Sequence, residues 1–169
     1  YVEGVIQPLL YGMCDSLQPA VGCNWGAGEI GRVKAIERCC FTASAVLSLL
    51  STAVILLFPE PIAVLFMGEA GGDFLAEMVF ALQLFALTYL TRWFSFATQS
   101  WMLAIEKPLY ASLISVSTAL VFPVLLIVCL WPLGLTGLWM NFAGTALLAA
   151  LLSIWVLLRL RKSPEWQRG

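Results

Sequence analysis

Apolar stretches of about twenty residues or more recur five times along this chain, and that recurrence constrains the fold more than any motif does. A bilayer core of about 30 Å needs roughly 20 predominantly apolar residues in a helix. The stretches run at approximately 3–24, 35–58, 76–104, 109–131 and 135–159. They are too long for membrane strands and do not alternate apolar with polar positions. Backbone polar groups inside lipid must be satisfied within their own segment, so each stretch reads as a helix. Composition agrees: 61% of the 169 residues are hydrophobic and 11% are charged, against roughly 25% charge in a soluble domain. The mean hydropathy is +0.92. The expected fold class is all-α, a polytopic helix bundle in a lipid bilayer, with residues 1–169 forming one transmembrane unit. Residue 1 already lies in apolar sequence, without an initiator Met or a signal-peptide pattern. That start reads as a fragment of a longer chain.

Charge placement sets an orientation. The linkers carry turn chemistry in GAGEIG, in PEP with GEAGGD, in EKP and in WPLG. Eight of the nine Lys and Arg residues lie on one side: Arg32, Lys34 and Arg38, then Lys107, then Arg159, Arg161, Lys162 and Arg168. The other side carries Glu3, Glu60, Glu69, Asp73 and Glu77 and no base. This asymmetry places the basic side and the C-terminus in the cytoplasm and residue 1 outside. The expected location is the inner (plasma) membrane of the cell. The bases read as topology signals, so no nucleic-acid partner is expected. The segment from Pro61 to Met67 reads as a short interfacial helix, and Trp25, Trp131 and Trp139 as interfacial anchors.

GAGEIG fits G-x-G-x-x-G letter for letter. A dinucleotide loop needs a strand before the glycines and an acid about 20 residues later. Here a membrane span precedes it and SLLSTA lies 20 residues on. The motif reads as a tight turn in which Gly26, Gly28 and Gly31 permit positive φ.

Two ionisable residues fall within the spans, Asp15 and Arg92. Buried charge in lipid costs several kcal/mol unless it faces a cavity or a partner. At ~1.5 Å per residue their Cα depths differ by about 6 Å, within reach of long side chains. Each belongs to a polar stripe. On the first span Gln7, Tyr11, Asp15, Gln18 and Gly22 follow helical spacing. On the third, Thr88, Thr91 or Arg92, Ser95, Thr98 or Gln99, and Met102 do so. The stripes read as two walls of a polar transport cavity, or alternatively as interhelical hydrogen bonding that holds the bundle. Asp15 is the leading candidate for a proton- or cation-responsive group. Asn141, on the fifth span, could bond solute or a neighbouring helix. Ser44, Ser48 and Ser51/Thr52 on the second span read as close packing through small residues. Pro8, Pro19 and Pro123 lie inside spans and are expected helix kinks.

The five cysteines form no CxxC pair and histidine is absent. They read as free packing residues, and no metal site, cofactor or catalytic constellation is expected.

Several stretches resemble the multidrug and toxic compound extrusion (MATE) family. QPAVGCNWGAGEIGRVK is similar to the end of the second helix of one of that family's lobes, with Gln18, Pro19, Asn24, Trp25, Gly26, Ala27, Arg32, Val33 and Lys34 matching in order. FPEPIAVLF resembles its outer linker, AIEKPLYASLIS its Ala-Ile-Gly-Lys-Pro turn, and PLGLTGLW the entry to its last helix. Glu106 stands where that turn usually has Gly, no Arg lies near Thr118, and Asn141-Phe142-Ala143 replaces a Pro-containing stretch. The resemblance implies five transmembrane helices of a six-helix, C-terminal transporter lobe, with a missing N-terminal lobe as its partner. It implies no enzyme activity but a secondary active antiporter, driven by H+ or Na+ as coupling ion, that exports drugs or other small organic compounds. A flippase of related fold for lipid-linked sugars and a non-transporting structural subunit are the alternatives.

Overall fold

A computed structural model describes the chain at residues 2–67 and 72–163. Glu69 and Arg168, two of the charges used for orientation, lie outside the described residues. The elements are α1 (Val2–Ser16), α2 (Gln18–Gly26), α3 (Ile30–Leu57), α4 (Pro59–Met67), α5 (Gly72–Ala104), α6 (Pro108–Val116), α7 (Phe122–Leu130) and α8 (Gly134–Arg161). A single π turn, Ser117–Val121, joins α6 to α7, and a 3-10 turn, Trp131–Leu133, joins α7 to α8. The described residues hold helices and turns and no strand. The fold is an all-α membrane helix bundle.

α5 is the hub, packing against α1, α3, α4, α6 and α8. Cross-helix pairs fix the directions. The Tyr11 ring meets Phe96, and one turn later on both helices Asp15 bonds Ser100, so α1 and α5 run the same way. Ser48 donates to the Tyr89 carbonyl, while Thr52, one turn later, reaches back to the Ala86 carbonyl. α3 therefore runs against α5. Phe85 meets Phe142, and Trp101 and Met102 share a core with Val156 and Leu157, so α8 runs with α5. The ends of α2, α5 and α8 and the starts of α3 and α6 converge on one apolar cluster that includes Val21, Val33, Ile105, Ile114 and Leu160. The described Lys and Arg residues other than Arg92 all lie near this end of the bundle.

Lipid is as apolar as leucine, so helices here associate through small residues and interhelical hydrogen bonds. α3 shows this. Ser44, Ser48 and Thr52 are buried at i, i+4 and i+8. Ser44 Oγ lies 3.4 Å from Cys14 Sγ on α1, and Ser48 and Thr52 bond α5 carbonyls. The large apolar side chains point outward instead: Leu57, Leu109 and Val128 are among the most exposed.

The helix breaks have local causes. The turn between α2 and α3 is only Ala27–Glu29, with Gly28 at φ 76°. Gly26 and Gly31 sit inside α2 and α3 and do not use the positive φ expected of them. α3 also starts earlier than the apolar run, so Arg32 and Lys34 form part of its first turns rather than a linker. Between α5 and α6, Glu106 holds φ 60° and the Lys107 N–H reaches the Met102 carbonyl at 2.8 Å. This is a Schellman-type ending, whose left-handed position usually belongs to glycine. Pro123 lacks an N–H for the Ala119 carbonyl. The Phe122 N–H bonds Ser117, five residues back, and the backbone absorbs the defect as the π turn. The long apolar run Pro108–Arg161 is thus two crossings, reversed at Gly134, whose φ is 59°. α8 returns close against α7 at two glycines. A Cβ on Gly137 would collide with the Leu130 carbonyl oxygen, and one on Gly144 would lie 2.9 Å from a Leu126 methyl.

A polar seam between α1 and α5

The seam is built from three levels of matching residues on two helices that run the same way. α1 and α2 supply Gln7, Tyr11, Asp15 and Gln18; α5 supplies Arg92, Phe96 and Ser100 at i, i+4 and i+8. At the level nearest the basic end of the bundle Asp15 Oδ1 accepts from Gln18 Nε2 and from Ser100 Oγ, each at 2.8 Å. Gln18 Nε2 lies 3.0 Å from Ser100 Oγ and closes the triangle. Among the described residues no hydrogen-bond partner holds Asp15 Oδ2. Asp15 is exposed and Gln18 half-buried, so the seam is open on one side.

One turn farther from that end the Tyr11 and Phe96 rings meet at 4.2 Å between centroids. The guanidinium of Arg92 lies over the same Phe96 ring, 5.3 Å from its centroid, a cation–π geometry. Gln7 lies one turn before Tyr11 on α1. Phe96 thus joins the Tyr11 and Arg92 side chains at the middle of the seam.

The triangle straddles a break in the helix. α1 ends at Ser16 and α2 begins at Gln18, with Leu17 between. Pro19 occupies the second position of α2 and has no N–H for the Asp15 carbonyl four residues back. Asp15 and Gln18 therefore belong to different helical segments that meet on one serine of a third.

The remaining sequence candidates lie elsewhere. Thr88 and Ser95 are each 1% exposed and sit in the bundle interior rather than on the seam. The hydroxyls of Thr88, Thr91 and Ser95 have no hydrogen-bond partner among the described residues. Thr98 is spent on its own helix, donating to the Phe94 carbonyl at 2.7 Å. Gln99 is half-buried on α5. Asn141 is buried and accepts from Thr145 at 3.2 Å. With Phe142 level with Phe85 and Leu157 near Trp101, Asn141 sits roughly 22 Å along the axis from the Asp15 triangle. Pro8 lies in an unbroken α1, Pro19 at the α1–α2 break, and Pro123 just after the π turn. GAGEIG joins two helices, with no strand before it.

Ser100 and Phe96 were not among the sequence candidates. The signal that could have found them is their spacing of eight and four residues from Arg92. The stripe drawn through Thr88, Ser95 and Met102 follows the i+3 side of α5 and drifts into the core.

A family model described as MatE matches residues 2–129 of the 169, from the start of α1 to the last turn of α7. No curated protein and no solved structure matches the chain.

Proposed function

We propose a function from the premise that the chain belongs to the MatE family: it acts in a membrane efflux transporter, and the α1–α5 seam is its coupling site. The transporter is a secondary antiporter in which H+ or Na+ entry drives export of small organic compounds, drugs among them, across the plasma membrane. The N-terminal lobe, implied by the resemblance, supplies the facing wall of the cavity.

One observation carries the assignment. Asp15 Oδ1 is held by two donors while Oδ2 has no hydrogen-bond partner among the described residues. A carboxylate within a membrane helix is costly to keep unless it serves a pathway. Here one oxygen is positioned and the other is left to take a proton or to ligate a cation. Loading Oδ2 removes the negative charge that Gln18 and Ser100 stabilise. Those bonds then weaken, since hydrogen bonds to charged groups are about twice as strong as neutral ones. Gln18 opens α2, so the change is delivered at the break beside Leu17, where α2 can reorient against α5. Arg92, held over Phe96, acts as the internal counter-charge one turn outward.

The test is substrate efflux from drug-sensitive cells, comparing wild type with Asp15→Asn across external pH at expression matched by immunoblot. Lost efflux with intact expression is the expected result. Unchanged efflux at every pH would remove Asp15 from the transport cycle.

A further inference from the structure

On the opposite side of α5 from the seam lies a cavity of about 600 Å³. At 100° per residue Phe94, which floors it, points about 200° away from Arg92. Its walls are two antiparallel stripes of the same i, i+3, i+4, i+7 form. α3 contributes Lys34, Glu37, Arg38 and Phe41, and α8 contributes Ile154, Leu157, Leu158 and Arg161. Because the helices run oppositely, Lys34 and Arg161 share the mouth, while Phe41 and Ile154 lie about 10 Å deeper. Among the described residues that line it, three bases stand against one acid, Glu37. That acid is 8% exposed.

We infer that this groove binds a phospholipid of the surrounding bilayer with an anionic headgroup. The phosphate sits among Lys34, Arg38 and Arg161, and an acyl chain follows Leu158 and Ile154 down to Phe94. The gradient along the groove carries the argument: charge at the mouth, then aromatic and aliphatic surface one acyl segment deeper, at the end of the bundle where the bases gather. A soluble anion would use the mouth and leave the apolar depth unused. A neutral lipid would use the depth and make no use of the charge at the mouth. Basic pockets between transmembrane helices recognise anionic headgroups by this combination. Glu37 lies between Lys34 and Arg38 on α3 and limits the positive charge of the mouth. The site shares no residue with the proposed coupling seam and does not depend on it.

The experiment titrates the detergent-purified protein with dioleoylphosphatidylglycerol or dioleoylphosphatidylcholine and counts retained lipid by native mass spectrometry. Wild type retains phosphatidylglycerol in preference to phosphatidylcholine. Arg38→Ala and Arg161→Ala each weaken that retention about fivefold. Arg32→Ala and Lys162→Ala, equal in charge but outside the groove, leave it within twofold. Glu37→Gln, which makes the mouth more positive, tightens it. Leu158→Trp keeps every charge and fills the acyl path, so it also weakens retention; a melting curve on each variant confirms the fold. Equal losses from bases inside and outside the groove would overturn the site as a surface-charge effect. Displacement of the lipid by inorganic phosphate at equal concentration would overturn the lipid assignment and leave a soluble-anion site.

Discussion

Two crossings of this bundle are interrupted next to a proline, and only one interruption carries polar chemistry. The break between α1 and α2 brings Asp15 and Gln18 onto Ser100 of α5. The break between α6 and α7 is a π turn of Ser117–Val121 before Pro123, within a stretch whose mean hydropathy reaches 2.7. There Thr118 bonds back to the Ile114 carbonyl of its own helix. The backbone device is similar, and the neighbour differs. α5, with the lowest mean hydropathy of the long spans at 1.2, offers the first break a hydroxyl. α8, packed against the second, buries Ala146, Ala149 and Ala150, and its Ser153 hydroxyl is spent on its own helix at the Ala149 carbonyl. A proline break in a membrane helix thus provides exposed backbone and freedom to bend, and its polar partners decide whether it serves transport or shape.

The largest effect separating the two regions is expected at Gly137, in the α7–α8 hairpin. Alanine there drives a Cβ into the Leu130 carbonyl oxygen, which is backbone and cannot swing aside. Gly137→Ala should cost about 3 kcal/mol, the upper range for overpacking. It should show as a lowered melting temperature in detergent and reduced yield, with the remaining folded protein transporting normally. A folded Gly137→Ala protein that melts like wild type would show that the hairpin is not held by this close approach.

At the seam the expected loss is functional. Ser100→Ala removes one of the two donors to Asp15 Oδ1 and should cut efflux about tenfold, the worth of a hydrogen bond to a charged group. Ser100→Thr keeps the hydroxyl and should restore most of it. Melting temperature should barely move, because cross-helix hydrogen bonds in membranes average well under 1 kcal/mol. Equal efflux for alanine and wild type would reduce the triangle to packing.

Part of this was legible in the sequence and part was not. The number of apolar crossings, the clustering of the bases and the stripe Gln7, Tyr11, Asp15, Gln18 follow from period and composition, because lipid enforces helices and leaves few alternatives. The partner stripe on α5 did not follow as cleanly. A helix of 3.6 residues per turn lets i+3 and i+4 steps both fit, and the two paths from Arg92 diverge within two turns. One leads to Ser100 and the seam, the other to Ser95 and the core; choosing requires knowing where α1 sits. The site of the first break was also hidden. Pro8 and Pro19 look alike in sequence, yet α1 runs through Pro8 and ends before Pro19.

The prolines therefore give the most direct comparison of the two breaks. Pro19→Ala restores an N–H for the Asp15 carbonyl and should extend α1 toward α2, lowering efflux about fivefold if reorientation at Leu17 is part of the cycle. Pro123→Ala removes the reason for the π turn and should change efflux by less than about twofold. Equal losses would mean that bending itself, rather than the polar neighbour, is what transport requires.

The smallest expected effect lies where the two regions join. Glu106 ends α5, the seam helix, and leads into α6, the first half of the apolar crossing. It occupies the left-handed position of a Schellman-type cap at φ 60°, where the resemblance leads one to expect glycine. A non-glycine residue there costs of order 1–3 kcal/mol. Glycine also has more freedom to lose on folding, roughly 0.5–1 kcal/mol. Glu106→Gly should therefore stabilise the protein by about 1 kcal/mol, read as a rise in melting temperature, with efflux unchanged. Glu106→Ala separates the causes: it loses the carboxylate but keeps the Cβ, so it should give little of the gain. If alanine stabilises as much as glycine, the carboxylate rather than the backbone strains this turn, and the junction is coupled electrostatically to nearby charge. If only glycine does, the strain is local to φ, and the seam and the hairpin meet at a joint that can be relaxed without disturbing either.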